Sequence, residues 1–562
     1  MKTIIQLYVI ILILRSKSVY SKAILSEFKV SAIHELLRKG GWNCTDVIDY
    51  FIKRAVTYNP IIKALINFNP KAQIEAYDLD KFYHEKNVFK GQLHCIPFII
   101  KDNIDVAGLP TTGGIKALRY SIPNKDAPVI DKLRKEGAIV IAKANMAEMA
   151  VGELENSEMG GQCLNPFDLK RTCGTSSSGS GGGISSAMAI VSLGTDTGGS
   201  ILQPASFNGL FGIRTPVGYP KTEGIISLFH QQDVVGPIAK HLDDLVLAYS
   251  IMVDNKTIQE NYLKNIEPSK LKLGYFINFF NTFNISSPSL NNKTYYLDPD
   301  IKEIMLNTMK KFKSLNINII EKSLNQTELI ELFDAIYKIT DQDAQLPCTI
   351  SSGKSGLNNY FNDSSRFDVD APYKNSTQLA SSSLLSKIWV DTFSLGNLYD
   401  EDYSTYCQQY TEMIVSFRNT IDNWFSSNDI DAYIFPSFVH PPFLLVNDSN
   451  VANSNRITSV ISISPLTYYP SIAAPIGYSK PTNEQPDGLP VNVFLFSKPE
   501  NFDKVFQILK LFENLAEWFI KERNRPLLVF DLLINDVFNQ SAVDREQCQN
   551  LLRHLRQREK FI

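Results

Sequence analysis

From residue 25 to 85 the apolar positions recur at helical spacing. Phe28, Ile33, Leu36 and Leu37 fall on one helical face. TDVIDYFIKRAVTYNP reads as a second helix that stops at Asn59-Pro60, with Asn43 or Thr45 as its cap. From Leu93 the texture changes to short β-rich runs, CIPFIIKDNI and GAIVIAKANM. Between them DAPVIDKLRKEGA reads as a helix ending at Gly137. Strand, helix and strand in that order predict a βαβ unit with parallel pairing.

A glycine- and serine-rich stretch follows at 174–200, GTSSSGSGGGISSAMAIVSLGTDTGGS, in which ISSAMAIV is predicted to be helical. Residues 255–430 form a different region, rich in Asn, Lys, Tyr and Ser, with IKEIMLNTMKKFKSL as its clearest helix. DAYIFPS at 431–437 returns to a buried strand. VNVFLFSKPE and NFDKVFQILKLFENLAEWF then read as a strand, a turn and a long amphipathic helix. The charged tail, 539–562, is a solvated helix or a loose end. No internal repeat and no clean linker interrupt the chain, which predicts one large α/β domain over 22–538.

With 562 residues, 44% hydrophobic and 20% charged, the chain can bury a sizeable core. Its net charge of -3 offers no basic excess, so no nucleic-acid partner is expected. The N-terminus changes the picture more. Its apolar run, Ile4 to Leu14, is broken only by Gln6 and falls short of the roughly 20 residues of a membrane span. Residues 1–21 therefore read as a signal peptide, with Ser21 or Ala23 as cleavage points. Arg15 and Lys17 directly behind the run make a signal anchor through residues 4–14 the alternative. Eight Asn-x-Ser/Thr sequons begin at Asn43, Asn284, Asn292, Asn325, Asn362, Asn375, Asn447 and Asn539, as a secreted or lumenal glycoprotein would carry. Seven cysteines permit a disulfide or two, but their spacing fixes no pairing and holds no CxxC. The histidines are scattered and no HExxH occurs, so neither a metal nor another cofactor is expected.

The 174–200 stretch carries the candidate chemistry. A linker would be polar throughout, whereas ISSAMAIVSL is largely apolar. A phosphate-binding loop needs a lysine, and none occurs between Lys170 and Lys221. What remains is a nucleophile with its oxyanion hole. TDTGGS places the Ser200 hydroxyl behind two glycines whose backbone N–H groups can converge on a developing oxyanion. Serine needs a base. No histidine lies nearby in sequence, and a lysine base is the alternative to a distant one.

Four segments carry a family resemblance: LHCIPFIIKDNIDVAGLPTTGG (93–114), AKANMAEMAVG (142–152), NPFDLKRTCGTSSSGSGG (165–182) and GTDTGGSILQPASFNGLFGIRTP (194–216). Together with GLPVNVFLFSKPENFDKVFQILKLFE they resemble the amidase signature family, over roughly residues 25–525. That family includes bacterial amidases, fatty acid amide hydrolases and the A chain of glutamyl-tRNA amidotransferase. The resemblance implies a mixed, mostly parallel central sheet covered by helices on both faces, and a Ser-cis-Ser-Lys triad without cofactor. Lys101 matches the family lysine, Ser176 the serine on a cis peptide bond, and Ser200 the nucleophile. Thr197, Gly198 and Gly199, with Ser200 itself, match the oxyanion-hole backbone. Ser177 is the nearest rival of Ser176. The chain departs from the family at Cys95, Thr175 and Ser178, where glycine is usual, and at Leu202, where arginine is usual.

The expected activity is hydrolysis of a small-molecule carboxamide through an acyl-enzyme. A catalytically degraded binding protein and a fatty acid amide hydrolase-like lipid amidase are the two alternatives. The secretory N-terminus fits poorly with a component of a tRNA amidotransferase.

Overall fold

A computed structural model describes residues 29–515 except 152–155, 286–292, 341, 367–372, 374–375, 381–402, 428, 446–455, 458–459 and 481–487. The expected signal segment 1–21, the tail 539–562, Cys548 and the sequons at Asn292, Asn375, Asn447 and Asn539 lie outside the described residues. So does the part of the expected 22–538 domain beyond Leu515. The described residues form one compact unit.

The helices are α1 (Val30–Arg38), α2 (Cys44–Ile62), α3 (Ala72–Lys86), α4 (Pro128–Lys135), α5 (Ser178–Ser185), α6 (Leu202–Phe207), α7 (Leu242–Met252), α8 (Lys256–Leu263), α9 (Pro299–Ser314), α10 (Gln326–Thr340), α11 (Gln342–Asn362), α12 (Ser376–Ala380), α13 (Tyr403–Ser426), α14 (Ile463–Thr467) and α15 (Phe502–Leu515). The strands are β1 (Leu65–Phe68), β2 (Ile96–Lys101), β3 (Ala138–Ala144), β4 (Leu164–Asn165), β5 (Asp168–Thr172), β6 (Val191–Asp196), β7 (Phe211–Arg214), β8 (Val234–Ala239), β9 (Lys272–Phe276), β10 (Phe283–Ile285), β11 (Lys293–Tyr295), β12 (Asn318–Lys322), β13 (Ala432–Pro436), β14 (Arg456–Ile457), β15 (Ser471–Tyr478) and β16 (Pro490–Phe496). Eleven strands form one mixed sheet in the order β1-β3-β2-β6-β8-β7-β15-β16-β13-β9-β12. Parallel pairing falls in two blocks, β3-β2-β6 and β13-β9-β12. The β6-to-β13 middle of the sheet and its β1 edge run antiparallel.

The expected βαβ unit is β2-α4-β3, paired in parallel from Ile96↔Ala138 to Lys101↔Ala144. Every residue of both strands is buried, as a strand with layers on both faces requires. Lys101 therefore ends a strand that offers it no water.

Two expectations on the helices are corrected. Helix α2 starts at the expected cap, where Asn43 and Asp46 form a reciprocal capping box. It runs through Pro60 to Ile62 instead of stopping at Asn59-Pro60. In a last turn the proline forfeits little, and Lys63 closes the helix in the left-handed conformation, donating to the Asn59 carbonyl at 2.7 Å. The second correction concerns the glycines. Helix α5 is SGSGGGIS itself, and ISSAMAIV contributes only its end before the chain turns into β6.

The reason is close packing. A Cβ on Gly179 would stand 2.2 Å from the Ala64 carbonyl oxygen, and one on Gly183 would stand 2.4 Å from Ile99 Cδ1. The helix is pressed onto the sheet at a distance that only glycine permits. Gly179→Ala is expected to lower stability by about 3 kcal/mol, because its methyl meets backbone that cannot turn aside. A urea or thermal melt checks this, and an unchanged midpoint would contradict it.

Disulfides Cys44–Cys95 and Cys348–Cys407 tie α2 to the entry of β2 and α11 to α13. Cys95 occupies a left-handed backbone, φ 68°, the conformation that suits the glycine usual there. Thr175 and Ser178 show no such need, since neither has a positive φ. Aromatic residues of the 255–430 region go into the core: Phe279, Phe280, Tyr295 and Phe312 are each no more than 1% exposed.

Candidate active site

The end of β2 lies beside β6, and this pairing brings Lys101 to Thr195. Lys101 Nζ donates to Thr195 Oγ1 at 2.8 Å, to the Thr195 carbonyl at 3.3 Å and to Ser176 Oγ at 3.0 Å. The side chain is wholly buried, and no ion pair of Lys101 occurs among the described residues. Desolvation lowers its pKa to about 7, against the weaker upward pull of Asp196 and Asp233. A lysine in this state is about half neutral near pH 7 and can accept a proton.

Ser176 sits in the turn that enters α5 and is 1% exposed. Its rival Ser177 is used otherwise, its hydroxyl donating to the Thr195 carbonyl at 3.1 Å. The cis peptide bond expected at Ser176 is corrected: both of its peptide bonds are trans, and Tyr219-Pro220 is the cis bond among the described residues. The trans backbone, the intrinsically favoured form, already delivers Ser176 Oγ to Lys101.

Ser200 is half-buried on the turn after β6, and its hydroxyl makes no hydrogen bond among the described residues. The turn is built around Asp196. Its carboxylate accepts the N–H groups of Gly199 at 2.8 Å, Ile201 at 2.7 Å and Leu202 at 3.4 Å. Arg214, on β7, locks that carboxylate from the other side. Its Nη1 donates to Asp196 Oδ1 at 2.8 Å and to the Asp196 carbonyl at 2.6 Å, with both side chains fully buried.

The expected oxyanion loop is thereby refined. The Gly199 N–H is committed to Asp196. Gly198 is exposed, with nothing within 4 Å of where a Cβ would stand. Thr197 is held by its hydroxyl on Asp233, at 2.5 Å, and by its carbonyl, which accepts from Gln232 at 2.6 Å. Tyr410 of α13 donates in turn to Gln232 at 2.7 Å.

Asp233 also lines a cavity of about 740 Å³, together with Ser227, His230, Asn359, Tyr360 and Tyr468. Ser200 is not in the cavity wall; the bond from Thr197 to Asp233 joins the two. Among the family departures, Thr175 Oγ1 donates to Gln203 of α6 at 3.0 Å, while Ser178 and Leu202 are fully buried. Among the described residues no group of His, Cys, Asp or Glu could hold a metal ion.

A buried lysine, a serine on it and a TDTGGS turn organised by its own aspartate form one constellation. Residues 46–501 match the family model "Amidase".

The chain belongs to the amidase family. Among curated relatives, it is 26% identical over 501 residues to the A chain of the glutamyl-tRNA(Gln) amidotransferase of a Sulfurihydrogenibium species, covering 84% of this chain and 94% of that one. The corresponding protein of Sulfurisphaera tokodaii is 36% identical over a shorter 234 residues, 40% of this chain and 48% of that one. Among solved structures, the native peptide amidase of Stenotrophomonas maltophilia superposes with a TM-score of 0.69 at 21% identity, covering 87% of this chain and 97% of that one. 6-Aminohexanoate cyclic dimer hydrolase reaches 0.69 at 18% identity, covering 90% and 99%. The amidase fold is thus shared over most of the chain.

Sequence reasoning missed Thr195, Asn103, Asp196 and Arg214. Two of them left a signal: an aspartate directly before TGGS, and an arginine ending the otherwise apolar strand FGIR.

Proposed function

We propose that this amidase-family protein hydrolyses small-molecule carboxamides by nucleophilic catalysis. The observation that carries the reading is Lys101, stripped of water and placed 3.0 Å from Ser176 Oγ at the foot of the turn that bears Ser200. Burying an amine without a carboxylate on it lowers stability, so a binding protein has no reason to keep it.

In the proposed sequence, neutral Lys101 takes the Ser176 proton while Ser176 takes that of Ser200. Ser200 Oγ attacks the carbonyl carbon, and the oxyanion faces the N–H groups of Ser200, Gly198 and Thr197. Collapse breaks the C–N bond, and the proton returns through Ser176 to the leaving amine. Water then attacks the acyl ester, giving the carboxylic acid and free Ser200 hydroxyl. Once a substrate is bound, Ser176 and Ser200 must come within hydrogen-bond distance for this relay.

The cavity beside Asp233 has a volume suited to a small-molecule ligand. What the 255–430 region lends to its wall includes Asn359, Asp363, Arg366 and Thr411. Two disulfides support the secretory compartment proposed from the N-terminus, as such bonds persist where conditions are oxidising.

The proton sign is definite. Lys101 works only when neutral, so activity is expected to fall about tenfold per pH unit below pH 7, with a plateau above. A panel of acetamide-like, aromatic, peptidyl and long-chain amides tests the function. Wild type is expected to release amine or ammonia from at least one polar amide, and Ser200→Ala from none. A folded wild type that cleaves no amide and takes no fluorophosphonate contradicts it.

A further inference from the structure

We propose that Thr195 is a positioning residue that aims the Lys101 lone pair at Ser176. This rests on the reading of Lys101 as the base and extends it. Beyond its Cε bond, the lysine nitrogen has three tetrahedral directions. Three oxygens stand within hydrogen-bond distance of it: Ser176 Oγ at 3.0 Å, Thr195 Oγ1 at 2.8 Å and Thr195 O at 3.3 Å.

A neutral amine fills those directions with two N–H bonds and one lone pair. A backbone carbonyl only accepts, so one N–H is always committed to Thr195 O. The second N–H and the lone pair are then shared between two hydroxyls, and only one distribution is productive. If the N–H points to Ser176, the base faces away from the proton it must take. When Thr195 Oγ1 accepts that N–H, the lone pair faces Ser176 Oγ–H.

Asn103 holds the threonine hydroxyl oxygen in place beside the amine. Its Nδ2 donates to Thr195 Oγ1 at 3.0 Å and to the Ile226 carbonyl at 3.2 Å, and the second bond fixes which end of the amide is the donor. Both Asn103 and Thr195 are buried, so no water competes. Thr195 thus offers Lys101 two acceptors from one residue, and with its own O–H turned away from Nζ it leaves the lone pair to Ser176 Oγ–H.

The test uses the rate of fluorophosphonate labelling of the full-length protein as a function of pH, which needs no knowledge of the substrate. Thr195→Val keeps the side-chain shape and removes the acceptor. Its plateau rate is expected to fall about tenfold or more, the worth of one charge-assisted hydrogen bond. Its acid limb is expected to move to lower pH, because the lost acceptor stabilised the ammonium more than the amine.

The other charges around Lys101 are untouched by the change. They are Asp196 with Arg214, Asp233 on the loop before β8, and the Asp102–Lys143 pair at the ends of β2 and β3. A merely structural defect that admits water would move the limb the opposite way, towards an ordinary lysine. Thr195→Ser restores the hydroxyl and should restore both rate and limb. Thr195→Ala provides a second route should the valine variant not fold, with the same expected direction.

An unchanged plateau, an unshifted limb or an upward shift in the folded variants overturns the inference while leaving the lysine base in place. Absence of labelling in folded wild type overturns the hydrolase reading itself, and the inference with it.

Discussion

Lys101→Met is expected to lower both amide hydrolysis and fluorophosphonate labelling by about 10³-fold at pH 8 while the protein stays folded. Methionine matches the length of the lysine stem and fills the same space at the end of β2, so no cavity opens. What disappears is the amine that meets the Ser176 hydroxyl. Without a base, Ser200 must attack as a neutral alcohol, a poor nucleophile. Removing a buried amine also removes its desolvation cost, so the melting temperature should hold or rise. A variant with near-normal labelling would show that the proton goes elsewhere. A variant that fails to fold would show that the lysine serves the core.

Arg214→Leu is expected to affect the fold as well as the site. Arg214 and Asp196 are both fully buried and bonded at 2.8 Å, and the Asp196 carboxylate organises the Gly199, Ile201 and Leu202 N–H groups. Breaking a buried pair from one side leaves an uncompensated charge, at a cost of about 3 to 5 kcal/mol. Asp196 would then be drawn towards water, which releases the turn that carries Ser200. The expected result is a lower melting temperature together with labelling reduced by about two orders of magnitude or more. Normal labelling in a folded Arg214→Leu variant would mean that the turn holds its shape without the ion pair.

Much of this was legible in the chain, and the exceptions have physical causes. The β2-α4-β3 unit was readable because both strands are continuous apolar runs, as burial on two faces demands. Taken alone, Lys101 at the end of β2 reads as a surface lysine, and only the family motif around it marks it as the base. Helix α5 was not readable. Glycine carries no periodicity and a poor helix propensity, and its selection here reflects contacts with Ala64 and Ile99, which are distant in sequence. Asn59-Pro60 reads as a stop in the sequence, yet a last turn tolerates proline and α2 runs on to Ile62. The cis bond at Ser176 came from the family resemblance, and the structure reaches the lysine with a trans backbone. Thr195 was invisible because its role exists only once β6 lies beside β2. The disulfide of Cys95 was likewise hidden, since a single cysteine at a glycine position names no partner.

With Lys101 as base, Ser200 acts as the nucleophile and Ser176 as its relay in the proposed reaction. Peptide mapping by mass spectrometry after treatment of the folded wild-type protein with a fluorophosphonate tests it most directly. A single phosphonyl adduct is expected on Ser200, formed more slowly below pH 7 and absent after denaturation before treatment. An adduct on Ser176 or Ser177, or a fully folded protein that carries none, would contradict it.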